Sequence, residues 1–131
     1  MEKEKFYFEK KLECSFDDAV EKVTEELKKQ GFGVLTEINM HDKFKEKLGK
    51  DFRKYLILGA CNPGFAYRAV QIEDKIGTML PCSVIVQELA PGSTEVAIID
   101  PYTSMKGIVS EQLLELASEA ADMLKQAVDK L

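Results

Sequence analysis

The sequence has no tryptophan, a single histidine and only 8% aromatic residues. Little is left for stacking nucleic-acid bases. Nor is there an excess of basic charge: 18 lysines and arginines stand against 23 acids, a net charge of −5. Clustered cations are what neutralise phosphates, so this balance argues against nucleic acid. The one basic cluster, Lys43, Lys45, Lys47, Lys50, Arg53 and Lys54, is interleaved with Asp42, Glu46 and Asp51 and reads as a solvated face. No window approaches the roughly 18 apolar residues of a membrane span. The charged start, MEKEKFYFEK, lacks the apolar stretch of a secretory signal. Neither a nucleic-acid nor a membrane partner is expected, and the chain reads as complete and cytoplasmic. Cys14, Cys61 and Cys82 are odd in number and widely spaced, which does not suggest a disulfide framework. In a reducing compartment each is first a small apolar residue. A Gly-rich phosphate loop, CxxC, HExxH and GxSxG are all missing. No cofactor and no metal is expected, and enzyme activity is left open.

What is present fits one domain, residues 1–131, with enough apolar residues for one core. A strand over residues 3–12 places Phe6 and Phe8 on one face. Ser15, with Asp18 three residues on, opens a helix whose Phe16, Val20, Val23 and Leu27 recur at helical spacing, and Gly31 stops it. Residues 32–38 alternate as a strand. Asn39 starts a short helix with a narrow Phe44 and Leu48 stripe, ended by Gly49. Residues 52–60 read as a central strand, apolar on both faces in its second half. Asn62 caps a third helix with Pro63 at its first position and Phe65, Ala69 and Ile72 inside. After the turn-prone EDKIG, residues 82–89 and 94–100 form a hairpin across APGS with a four- or five-residue loop. A last long helix, from Ser104 or Ser110, turns Val109, Leu113, Leu116, Ala120, Leu124 and Ala127 inward. The order is β-α-β-α-β-α-β-β-α. The short middle helices are weak crossovers and the final hairpin is antiparallel by construction. The expected class is therefore α+β: a largely antiparallel five-stranded sheet with the first and last helices packed on one face.

Candidate chemistry centres on GACNPGF, residues 59–65. Cys61 precedes the N-cap Asn62, where unpaired helix N–H groups lower a thiol pKa or attract an anion. A cysteine packed at a strand end, with Asn62 and Pro63 only starting a helix, is the plainer reading of the segment. Cys82, after Pro81, opens the next strand; antiparallel pairing brings it to the end of the sheet that holds Cys61. Arg68 on the third helix is a candidate anion partner, although a surface arginine is the plainer reading. His41 lies near the start of the second helix, outside its apolar stripe, and one imidazole with scattered cysteines is a poor zinc set. Asp100-Pro101 is ordinary turn chemistry.

GFGVLTEI (31–38), DFRKYLILGACNP (51–63), LPCSVIVQE (80–88) and IIDP (98–101) together resemble the bacterial and archaeal domain of unknown function, DUF family 302. The resemblance spans nearly the whole chain. It implies a layout similar to the TATA-box-binding-protein-like fold and a homodimer, and it marks Cys61, Asn62, Pro63, Pro81 and Cys82. Fold does not carry function with it, so three readings stand. One is a dimeric binding or accessory module with a small-anion or other ligand site at Cys61, Asn62 and Pro63, with Arg68, Pro81 and Cys82 nearby. Another is a thiol enzyme or sensor using Cys61 and Cys82. The third is a purely structural or dimerisation domain.

Overall fold

A computed structural model describes residues 5–108 and 110–131. Five strands, β1 (Tyr7–Leu12), β2 (Gly33–Asn39), β3 (Tyr55–Cys61), β4 (Cys82–Ala90) and β5 (Ser93–Ile99), form one sheet in the order β1-β5-β4-β3-β2. Every neighbouring pair is antiparallel. β2 through β5 thus run as a meander, and β1 closes onto the free side of β5. The fold is α+β, as the weak middle helices and the final hairpin imply.

Local chemistry explains most boundaries. Helix α1 (Phe16–Lys29) begins where Ser15 Oγ accepts the Asp18 N–H at 3.1 Å. Asp17 and Asp18 sit in its first turn and Lys28 and Lys29 in its last, each complementing the helix dipole. Phe16, Ala19, Val23 and Leu27 are its buried face. Helix α2 (Met40–Leu48) ends on Gly49, which takes the left-handed conformation at φ 65°. It buries no residue because it only bridges two antiparallel neighbours and crosses no sheet face. Asn39 precedes it without a side-chain cap.

Several expectations need correcting. β1 begins at Tyr7, so Phe6 stays 57% exposed and packs edge-on against Tyr7; residues 3 and 4 of the expected strand lie outside the described residues. β3 starts at Tyr55 because Phe52, Arg53 and Lys54 are exposed. It is an interior strand, but β4 is the middle one. In helix α3 (Pro63–Ile72) only Ala69 is buried, and Ile72 faces outward at the last position. EDKIG falls largely within a 3-10 helix, Asp74–Met79, whose Ile76 is buried. The β4–β5 turn is tighter than expected, with Ala90 paired to Ser93 across Pro91 and Gly92, and Gly92 at φ 78°. Asp100 is more than a turn residue. Its carboxylate accepts the N–H groups of Tyr102 and Thr103 and caps a short helix, α4 (Pro101–Met105). The last helix, α5 (Glu111–Asp129), starts at the Ser110 cap; Val109 lies outside the described residues.

Two apolar clusters share α5. The larger joins α1 and the sheet residues Leu56, Leu58, Val84, Val86, Val96 and Ile98 to the C-terminal half of α5, Ala120 to Val128. The smaller joins Ala69, Ile76 and Met105 to Leu113, Leu116 and Ala117 in its N-terminal half. Lys10 on β1 donates to the carbonyl oxygen of Leu131 at 2.7 Å, tying the chain end after α5 to the sheet. Thr94, fully buried, donates to the Cys14 carbonyl at 3.0 Å, so its hydroxyl is satisfied.

Candidate functional site

The register fixes where the cysteines lie. Ala60 is the β3 partner of Cys82 on β4, and Cys61 is the next residue along β3. The two thiols are one register step apart, at the end of two interior strands. Both residues border a cavity of about 50 Å³ that α3 and α5 close, Cys82 from the helix-covered face of the sheet and Cys61 at the strand end. All three cysteines are free thiols.

The cavity sits on the seam between the two apolar clusters. Phe32, Ala60, Cys82 and Ala120 reach it from the larger, and Leu80, Met105, Leu113, Leu116 and Ala117 from the smaller side. Phe65, Ala66 and Ala69 add the inner face of α3. Alanines at 66, 69, 117 and 120 leave space where longer side chains would interdigitate. The volume exceeds the roughly 10–15 Å³ that one water needs, yet the wall is almost wholly carbon and sulfur.

Asn62 organises the mouth. Its Oδ1 accepts the N–H groups of Gly64 at 3.1 Å and Phe65 at 3.3 Å, while its carbonyl accepts that of Ala66 at 2.9 Å. Pro63 has no N–H to offer. The opening turn of α3 therefore has no free donor for an anion, and its positive end is already answered by the cap. The Asn62 amide also packs against Gly31, which holds φ 84°; a Cβ there would stand 3.0 Å from Nδ2.

The other expected site residues separate. Arg68 is one turn further along α3, 3.9 Å from the Glu119 carboxylate of α5, and does not line the cavity. Pro63 and Pro81 are exposed and also lie outside its lining. Pro81 instead packs toward Gly59, where an added Cβ would collide with both Thr36 Oγ1 and the proline ring. His41 accepts the Tyr55 N–H on Nδ1 at 3.0 Å and so joins α2 to β3, away from either cavity thiol. Among the described residues, no group of three or more His, Cys, Asp or Glu side chains converges.

Burial pushes the Cys82 thiol up to about 11, with the nearby Cys61 adding in the same direction. At neutral pH Cys82 is protonated and a weak nucleophile. The alanines and aromatics of the cavity give no sequence signal of their own. At helical spacing they read as ordinary core, and only the side-chain volumes across three elements reveal a gap.

No helix among the described residues is long and apolar enough to cross a membrane. No curated protein matches the chain. A crystal structure described as an uncharacterized conserved protein DUF302 from Bacillus stearothermophilus is similar, with a TM-score of 0.88 and 28% identity, over 97% of this chain and 98% of that one. Residues 8–131 match the family described as Domain of unknown function DUF302. The chain belongs to the DUF302 family.

Proposed function

We propose that this chain is a cytoplasmic, dimeric binding module of one domain. Its ligand is a small apolar group seated between α3 and α5, against Cys61 and Cys82. The observation that carries this reading is the cavity wall, which gathers two cysteines, five alanines and several larger apolar residues around unfilled space. An anion is the poorer ligand, since Pro63 lacks an N–H and Asn62 takes those of Gly64, Phe65 and Ala66. An apolar group needs no such donors and gains by leaving water. Met105 and Phe65 at the wall can re-pack around a larger guest, methionine being especially adaptable.

A thiol enzyme is less well supported by the same geometry. Burial moves Cys82 away from the thiolate, and His41 bonds to Tyr55 and does not line the cavity. The cysteines act in this reading as polarizable lining.

Methyl NMR with dissolved xenon, a probe small enough for this cavity, tests the proposal. Resonances of Leu113, Leu116 and Met105 shift on saturable binding, while those of Val86 and Val96 stay in place. Ala117→Val adds about two carbons, close to the free volume, and abolishes the shifts while leaving the fold intact. Unchanged wild-type spectra at saturating probe would overturn the apolar binding site.

A further inference from the structure

One face of the sheet packs against α1 and α5 through Leu56, Leu58, Val84, Val86, Val96 and Ile98. Strand alternation sends Ile57, Ile85 and Ala97 to the opposite face. The register lines these up: Ile38 on β2 is the partner of Ile57, Ile57 of Ile85, and Ile85 of Ala97. An apolar row thus crosses four strands without a break. A solvated antiparallel face ordinarily turns polar at these positions. Ile38 is 43% exposed, and Ile57 and Ile85 are half-buried. Beside the row, between Tyr7 and Tyr55, runs a groove of about 350 Å³ floored by Ile85 and Ala97.

We propose that a second copy of this chain covers this face, sheet against sheet, with the row of one copy packed on the row of the other. The inference rests on the dimeric reading above and assigns its surface. Two observations favour a second copy as the occupant. The first is size. Five strands about 4.8 Å apart and about 20 Å long present roughly 500 Å² per copy, or about 1,000 Å² in a pair, the minimum for a biological interface. The second is charge. The chain carries −5 overall, yet each carboxylate bordering the row has a cation beside it, Lys11 on β1 being the register partner of Glu95. Glu9 pairs with Lys5 at 3.2 Å. Arg53 Nε donates to Gln87 Oε1 at 2.8 Å, and Gln87 Nε2 donates to Glu95 at 3.1 Å. The border of the row thus carries none of the chain's excess negative charge. An isologous contact needs self-complementarity, and aligned sheet packing at about 10 Å supplies the geometry.

Sedimentation equilibrium on the full chain tests this, with Ile85→Lys, Ser83→Arg and Tyr67→Lys beside the wild type. Ser83 is exposed on the same sheet face, and Tyr67 is exposed on α3. The expected result is a wild type at twice the 14.7 kDa chain mass. Ile85→Lys and Ser83→Arg should each raise the dimer dissociation constant at least 100-fold with unchanged circular dichroism, while Tyr67→Lys should not. Should Ile85→Lys fail to fold, Ser83→Arg decides alone. A monomeric wild type would overturn the dimeric reading together with this inference, leaving the face to some other partner. A wild-type dimer that survives Ser83→Arg would overturn this inference only, because the copies would then meet elsewhere.

Discussion

Cys82 shows how burial and reactivity oppose each other within one residue. Its thiol ionises near 9.0 in an unfolded chain but is held up to about 11 in the fold. The native state therefore keeps a proton that the unfolded state loses, and stability falls as pH rises through that window. The slope from this thiol is about 1.4 kcal/mol per pH unit. Urea unfolding from pH 8 to 11 should show the wild type losing stability more steeply than Cys82→Ala, with parallel curves below pH 8. Native-state alkylation at pH 8 should spare Cys82. Gly31 is a second residue whose surroundings set its tolerance. Its φ of 84° and the Asn62 Nδ2 contact both oppose a Cβ. Gly31→Ala is expected to destabilise by about 1–2 kcal/mol in urea unfolding.

Among the elements, α3 tests the reading of the helix start. Asn62→Ala strips the cap from the N–H groups of Gly64 and Phe65. A loss of about 1 kcal/mol is expected, measurable as a lower urea midpoint. Asn62→Asp keeps an accepting oxygen and should retain most of that stability. Such caps are legible in sequence because Ser15 and Asn62 stand directly before an apolar helical period, and Pro63 fits only a first turn. The antiparallel order is legible for a related reason: the Pro91–Gly92 turn forces a hairpin, and α2 has too little apolar surface to cross a sheet. Other elements are set by tertiary contacts. The 3-10 helix exists because Ile76 reaches the smaller cluster, and α4 because Pro101 and Met105 are buried beneath it. Neither leaves a periodic signal. The candidate site was half legible. Strand pairing places Cys61 beside Cys82, whereas Arg68 turns toward Glu119 of α5, Pro63 is exposed at the start of α3, and Pro81, just before β4, packs toward Gly59. The cavity itself depends on which alanines face one another across α3 and α5, and spacing within each helix does not contain that.

At the scale of the molecule, one long helix serves two cores. The C-terminal half of α5 packs with the sheet and α1, and its N-terminal half closes the smaller cluster over α3. A cavity remains where the two meet, and Cys61 and Cys82 are among the residues that line it. The opposite sheet face carries the apolar row assigned to a second copy, so ligand and partner occupy different sides of the sheet. A site on the seam can be filled without disturbing the row, and ligand binding and dimerisation are expected to be independent. The most direct measurement is a crystal of this protein pressurised with xenon, an apolar probe that needs no hydrogen-bond donor. Xenon density between α3 and α5, within van der Waals distance of Cys82, Ala117 and Phe65 and absent in Ala117→Val, is the expected result. A cavity that stays empty under pressure, or holds ordered water in place of xenon, would contradict an apolar binding site.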